Sequence, residues 1–339
     1  MQEKKNASGV SRRGFLKALG VGGAALLVPT AAGAAGDRVP APSGAELATL
    51  LDLSKCIGCG ACVDACRESN AHKYPEPKKP FPPMLPAGRA KPEDWSGKRD
   101  VDDRLTPYNW LMIQTAEVDY KGRHYEINIP RRCMHCQNPP CANLCPFGAA
   151  NKQVNGLTRI SDNLCMGGAK CRTVCPWRIP QRQSGVGLYL HLMPRLAGNG
   201  VMYKCDRCHQ LLDKGETPAC IPVCPEGVQT IGPRAEMAVK ARELARSMNG
   251  FIYGLEENGG TNTFYVSPVP FELLNKAIDK GKGKPHLKRV KDVMADESNL
   301  AAAALAAPIA GVAAGFLGLG AKLLGKGGNG GGKESGDDK

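Results

Sequence analysis

The sequence predicts an α+β fold whose interior is organised by cysteines rather than by bulky side chains. Three observations predict it. Aromatic residues are only 5% of the 339-residue chain, which holds fifteen cysteines. Glycine and proline number 41 and 26, a composition for many turns and few long helices. Every cysteine falls into one of four groups with short, recurring gaps.

The groups are Cys56-x2-Cys59-x2-Cys62-x3-Cys66, Cys133-x2-Cys136-x4-Cys141-x3-Cys145-Pro146, Cys165-x5-Cys171-x3-Cys175-Pro176 and Cys205-x2-Cys208-x11-Cys220-x3-Cys224-Pro225. A short loop with cysteines every third residue wraps three thiolates around three corners of one iron–sulfur cubane. The fourth cysteine, three residues on, starts a departing segment and serves a different cluster. The proline after it stops the loop from continuing as helix.

Three other readings compete. Zinc sites use separated cysteine pairs, not runs of three plus one. Disulfides suit an exported protein, but fifteen is odd, and cysteines three residues apart bridge poorly. Cys205-Asp206-Arg207-Cys208-His209 matches the C-x-x-C-H haem-attachment pattern, yet its two thiols are needed to complete the fourth group.

The third group breaks the pattern. Gly168 stands where the second cysteine belongs, so one cluster corner has no protein ligand. Two outcomes stand: loss of that iron to give a 3Fe–4S cluster, or a 4Fe–4S cluster with water or hydroxide at the corner.

Residues 50–232 resemble the four-cluster ferredoxin-type iron–sulfur subunits of membrane oxidoreductases, among them those of formate dehydrogenase, nitrate reductase, dimethyl sulfoxide reductase and hydrogenase-2. Met134-His135-Cys136 and Lys204-Cys205 carry the likeness along with the spacing. The resemblance implies two pseudo-symmetric bacterial-ferredoxin-like double-cluster modules with loop insertions. The inner module covers about 130–178; the outer is built from 50–70 and 203–232. It also implies a nested pairing of the groups. Cys56, Cys59, Cys62 and Cys224 would hold one 4Fe–4S cluster, and Cys66, Cys205, Cys208 and Cys220 a second. Cys133, Cys136, Cys141 and Cys175 would hold a third, and Cys145, Cys165 and Cys171 the incomplete one. Arg67 stands after Cys66 where the family commonly has proline. No pterin, flavin or nickel site and no nucleophile–base pair is visible, so the chain is expected to conduct electrons without turning over substrate alone. The implied partners are an integral-membrane quinone-reactive subunit and a periplasmic catalytic subunit or multi-haem cytochrome c.

At the N-terminus, Ser11-Arg12-Arg13-Gly14-Phe15-Leu16-Lys17, the apolar stretch Ala18–Val28 and Ala32-Gly33-Ala34 read as a twin-arginine export signal with a cleavage site, residues 1–34. At the other end Leu300–Ala321 is 22 residues without a charge, long enough for one transmembrane helix. Its small residues suit packing against partner helices, and residues 322–339 form a flexible tail. The expected location is the periplasmic side of the cytoplasmic membrane. The formal charge is +13; with no basic stripe carrying stacking aromatics, nucleic acid is not expected as a partner.

Between these ends, residues 70–100 are proline- and lysine-rich and read as a solvated surface arm. Leu111–Ile129 alternates around Lys121-Gly122 as a hairpin, and Val154–Leu157 is a second hairpin turn. Trp177–Val201 is a long insertion. Residues 233–297 are an extension: a helix over Arg234–Met248 with Met237, Ala241, Leu244 and Ala245 on one face and Gly250 as its cap, then a hairpin from Phe251 to Val266. His135 is expected to be a hydrogen-bonding residue rather than a ligand.

Overall fold

The computed structural model describes residues 44–82, 91–192, 194–196 and 199–295. Residues 1–34, expected to be an export signal, and the apolar segment 300–321, expected to span the membrane, lie outside them. Among the described residues no helix is long and apolar enough to cross a membrane.

Four strands form a mixed sheet. Its strands are β1 (Leu47–Asp52), β8 (Gln229–Pro233), β9 (Phe251–Tyr253) and β10 (Thr263–Ser267), in the order β8-β1-β10-β9. β1 pairs antiparallel with β8, Leu51 opposite Gln229, and parallel with β10, Thr49 opposite Thr263. All six residues of β1 are buried, as expected of a strand covered on both faces. Ala48, Leu50, Phe264 and Val266 meet Met237, Ala238, Ala241 and Ala245 of helix α6 (Arg234–Ser247). Leu51, Tyr253 and Tyr265 turn into the main core. The segment after residue 233 is therefore not an appendage: its strand β10 is central in the sheet that opens the cysteine domain.

Helix α6 ends differently from expectation. Asn249, not Gly250, takes the left-handed conformation, with φ 49°. Gly250 donates its N–H to Ala245 O at 2.7 Å, and a Cβ there would stand 2.5 Å from Ser267 O. Glycine is required here for close approach rather than for its φ.

Strands β2 (Met112–Tyr120) and β3 (Arg123–Arg131) form the expected hairpin. Lys121 and Gly122 both have positive φ, the requirement of a two-residue type I′ turn. Short strands β4 (Ala150–Lys152) and β5 (Thr158–Ile160) pair across the loop that contains Asn155-Gly156. Within the long insertion, β6 (Gln181–Gln183) pairs with β7 (Val201–Tyr203).

The part of the arm around Glu93 and Trp95 is held rather than freely solvated. Glu93 takes Arg172 in a bidentate pair at 2.7 and 2.8 Å, with Arg182 at 2.7 Å and Lys282 at 3.1 Å. Ser184 donates its N–H to Glu93 O, and Trp95 donates to Gln183 Oε1. Burial would raise the Glu93 carboxyl, but its cations outweigh that and hold it at about 2. The proline-rich composition gave no sign of these long-range pairs.

Candidate metal-cluster sites

All fifteen cysteines are free thiols. Three of the four x3 pairs sit on a short helix or at its end, and the fourth, Cys220 and Cys224, sits in a turn. Cys62 and Cys66 lie on α1 (Ala61–Asn70). Cys141 lies on α2 (Pro140–Asn143), with Cys145 two residues past its end. Cys171 lies on α3 (Lys170–Val174), with Cys175 just past its end. Residues four apart on a helix lie on one face, about 6 Å apart along the axis, so the two thiols of a pair reach two neighbouring sites.

Three cavities collect them. Cys56, Cys59, Cys62 and Cys224 line the first. Cys66, Cys205, Cys208 and Cys220 line the second. Cys133, Cys136, Cys141 and Cys175 line the third. Every set of four joins cysteines from two groups. Among the described residues, no three His, Cys, Asp or Glu side chains converge on a single metal ion; the thiols stand back around a shared space. Cys165 and Cys171 gather in a buried cluster with Cys141, Ala149, Val186, Val201 and Met202, and half-buried Cys145 packs against it. A Cβ on Gly168 would meet nothing within 4 Å among the described residues.

The chemistry of the thiols fits a polynuclear iron group. Burial pushes Cys62 and Cys175 up to about 12, and Cys141 and Cys205 up to about 11, with neighbouring thiolates adding to the rise. Thiolates so packed need a cationic centre among them. Backbone N–H groups already point at sulfur: Val228 N–H donates to Cys224 Sγ at 3.4 Å, Met202 N–H to Cys165 Sγ at 3.4 Å and Ala150 N–H to Cys145 Sγ at 3.5 Å. Such bonds are among the determinants of cluster potential.

The sites form a row. Cys62 and Cys66 link the first cavity to the second; Cys171 and Cys175 link the fourth site to the third. Cys133 of the third and Cys205 of the second are close enough to repel as thiolates. Three buried cations stand at this junction. Lys204 donates to Thr158 O and to Cys205 O. Arg207 donates to Leu47 O at 2.7 Å and Asn262 O at 2.8 Å. Arg132 donates to Cys220 Sγ at 3.0 Å. Lys204 and Arg207 stand in motifs visible in the sequence; Arg132 has only the weaker signal of a basic residue directly before a cysteine group. His135 accepts the Thr158 N–H at Nδ1, 3.0 Å away. Burial, then Arg207, Lys204 and Arg132, press its pKa well below the usual value, so the ring is neutral. His209, of the haem-like pentapeptide, bonds instead to Asp206 at 2.8 Å.

Comparison with known proteins gives the same picture. Residues 55–149 and 125–234 each match a 4Fe-4S dicluster domain family. The hydrogenase-2 operon protein HybA of Escherichia coli O157:H7 is 30% identical over 305 residues, covering 78% of this chain and 83% of HybA. The nitrate-inducible formate dehydrogenase iron–sulfur subunit of Escherichia coli strain K12 is 28% identical over 229 residues, covering 66% of this chain and 68% of that subunit. The formate dehydrogenase iron–sulfur subunit of Haemophilus influenzae is 28% identical over 228 residues, covering 65% of this chain and 64% of its own length. With two dicluster domains, thiols gathered around cavities in a row and these relatives, the chain belongs to the ferredoxin-type iron–sulfur electron-transfer subunits, the family of HybA and the formate dehydrogenase iron–sulfur subunits.

Proposed function

We propose that this chain is the electron conduit of a periplasm-facing membrane oxidoreductase complex. It passes single electrons through four clusters between a periplasmic redox partner, a hydrogenase or multi-haem cytochrome c, and a membrane quinone-reactive subunit. Three 4Fe–4S clusters are held by Cys56, Cys59, Cys62 and Cys224, by Cys66, Cys205, Cys208 and Cys220, and by Cys133, Cys136, Cys141 and Cys175. A 3Fe–4S cluster is held by Cys145, Cys165 and Cys171 at the corner Gly168 leaves open. Export by the twin-arginine route brings the folded, loaded protein to the periplasm, and residues 300–321 anchor it. The observation that carries the reading is the separation of twelve cysteines into three cavities, each with four thiols from two groups. The likeness to HybA favours a hydrogenase as the partner. The likeness to formate dehydrogenase subunits supports a second reading, service to a molybdopterin enzyme.

The chain's own part is to fix the spacing, bury the thiolates and aim N–H groups at sulfur; the clusters supply one-electron chemistry. Gentle solubilisation of membranes and identification of the co-purifying subunits tests the role. A quinone-reactive membrane subunit together with a periplasmic redox protein is the expected result. Recovery of the chain alone in the soluble cytoplasmic fraction overturns it.

A further inference from the structure

Arg132 follows directly on β3 and is 5% exposed. It lines the second cavity together with Cys66, Cys205, Cys208 and Cys220. The other two buried cations at the junction spend their hydrogen bonds largely on backbone carbonyls. Arg132 differs. Its Nη1 donates to Cys220 Sγ at 3.0 Å, and its equally buried Nη2 has no partner among the described residues. A buried guanidinium N–H without an acceptor costs stability unless something in that space accepts it. The wall of the cavity offers thiol sulfur; a cluster seated there offers inorganic sulfide.

We propose that Arg132 is the residue that sets the reduction potential of the cluster in the second cavity, by donating from Nη1 to the Cys220 thiolate and from Nη2 to the group that fills the cavity. The inference rests on the reading that those four cysteines hold one cluster. Its physical basis is simple. Reduction adds one electron and one negative charge to the site, and a fixed positive charge in a dry cavity favours the reduced state. One electron enters from a neighbouring site and one leaves to the next. The guanidinium stays charged throughout, so no proton moves with the electron. The same side chain lies near enough to Cys62 to lower its thiol pKa, so it also reaches toward the first cavity. Arg132 is a positioning and tuning residue, not a ligand.

The experiment is a redox titration followed by electron paramagnetic resonance, on native protein, Arg132→Met and Arg132→Lys, each with iron content measured. With iron unchanged, Arg132→Met should favour the oxidised state of one cluster at least tenfold more than in the native protein, a fall of 59 mV for one electron. Arg132→Lys, which keeps the charge but loses the fork, should fall by less. Unchanged midpoints with full iron overturn the proposal and leave the cluster assignment standing. If native protein lacks the iron for this site, the assignment itself fails. A second measurement covers variants that do not fold. Native protein labelled with 15N-arginine should show nitrogen coupling to a reduced cluster in pulsed resonance, and absence of that coupling overturns the proposal.

Discussion

A thiol buried beside three others is held in its neutral form by the surrounding protein. Desolvation pushes Cys62 to about 12 and Cys205 to about 11. Bound iron replaces the proton, so each ligand matters to one cluster and little to the next. Cys224→Ser should remove about four irons per chain and leave the other sites loaded, as read by iron analysis; loss of all clusters would contradict separate sites. Gly168 is the complementary case. It is exposed, has no positive φ and leaves empty space where a Cβ would stand. Gly168→Cys should therefore fold normally, abolish the 3Fe–4S resonance of the oxidised protein and lower that cluster's potential. A native protein with no oxidised-state signal would contradict the 3Fe–4S assignment and favour a four-iron cluster with water or hydroxide at that corner. The cysteine spacing made these residues readable in the sequence because ligands must come in a fixed local pattern. Arg132 was not readable in the same way. A lone arginine has no period, and only the folded chain shows where its guanidinium goes.

At the scale of elements, periodicity served well where one face is buried and the other wet. The β2–β3 hairpin turns at Lys121-Gly122, and α6 buries the face that its spacing foretells. It failed where the partner is distant in sequence. Nothing local announces that β10 pairs parallel with β1, some two hundred residues earlier, or that Glu93 in the arm grips Arg172 on the helix bearing Cys171. Phe264, on β10, is fully buried against α6, so Phe264→Ala should cost about 3–5 kcal/mol in denaturant unfolding; a cost below about 1 kcal/mol would mean the sheet is not as described. Glu93→Gln should lose about 1.5–3 kcal/mol. Because the folded carboxyl is depressed to about 2, its contribution is fully present above the ordinary glutamate value and is lost as pH falls toward 2. The gap between native and variant should thus be constant from pH 5 to 8, and a gap that grows or shrinks across that window would point elsewhere. Gly167 has φ 67°, and a Cβ there would lie 1.9 Å from Asn199 O. Gly167→Ala should disturb the loop that carries Cys165 and release about three irons, leaving the other clusters in place.

Across the whole molecule, the sites run in a row, first cavity to second to third to the three-cysteine site, with cations buried at the middle junction. On the proposed assignment an electron entering at either end would pass from site to neighbouring site, and no substrate pocket is needed for passage. The fold serves this by sharing: x3 cysteine pairs tie adjacent sites, and the segment after residue 233 completes the sheet beneath the first module. The most direct test of the central claim is iron and acid-labile sulfide per chain in anaerobically purified protein. The account predicts a brown protein with about fifteen irons and about sixteen sulfides. A colourless protein free of labile sulfide, or one loaded with zinc, would contradict it.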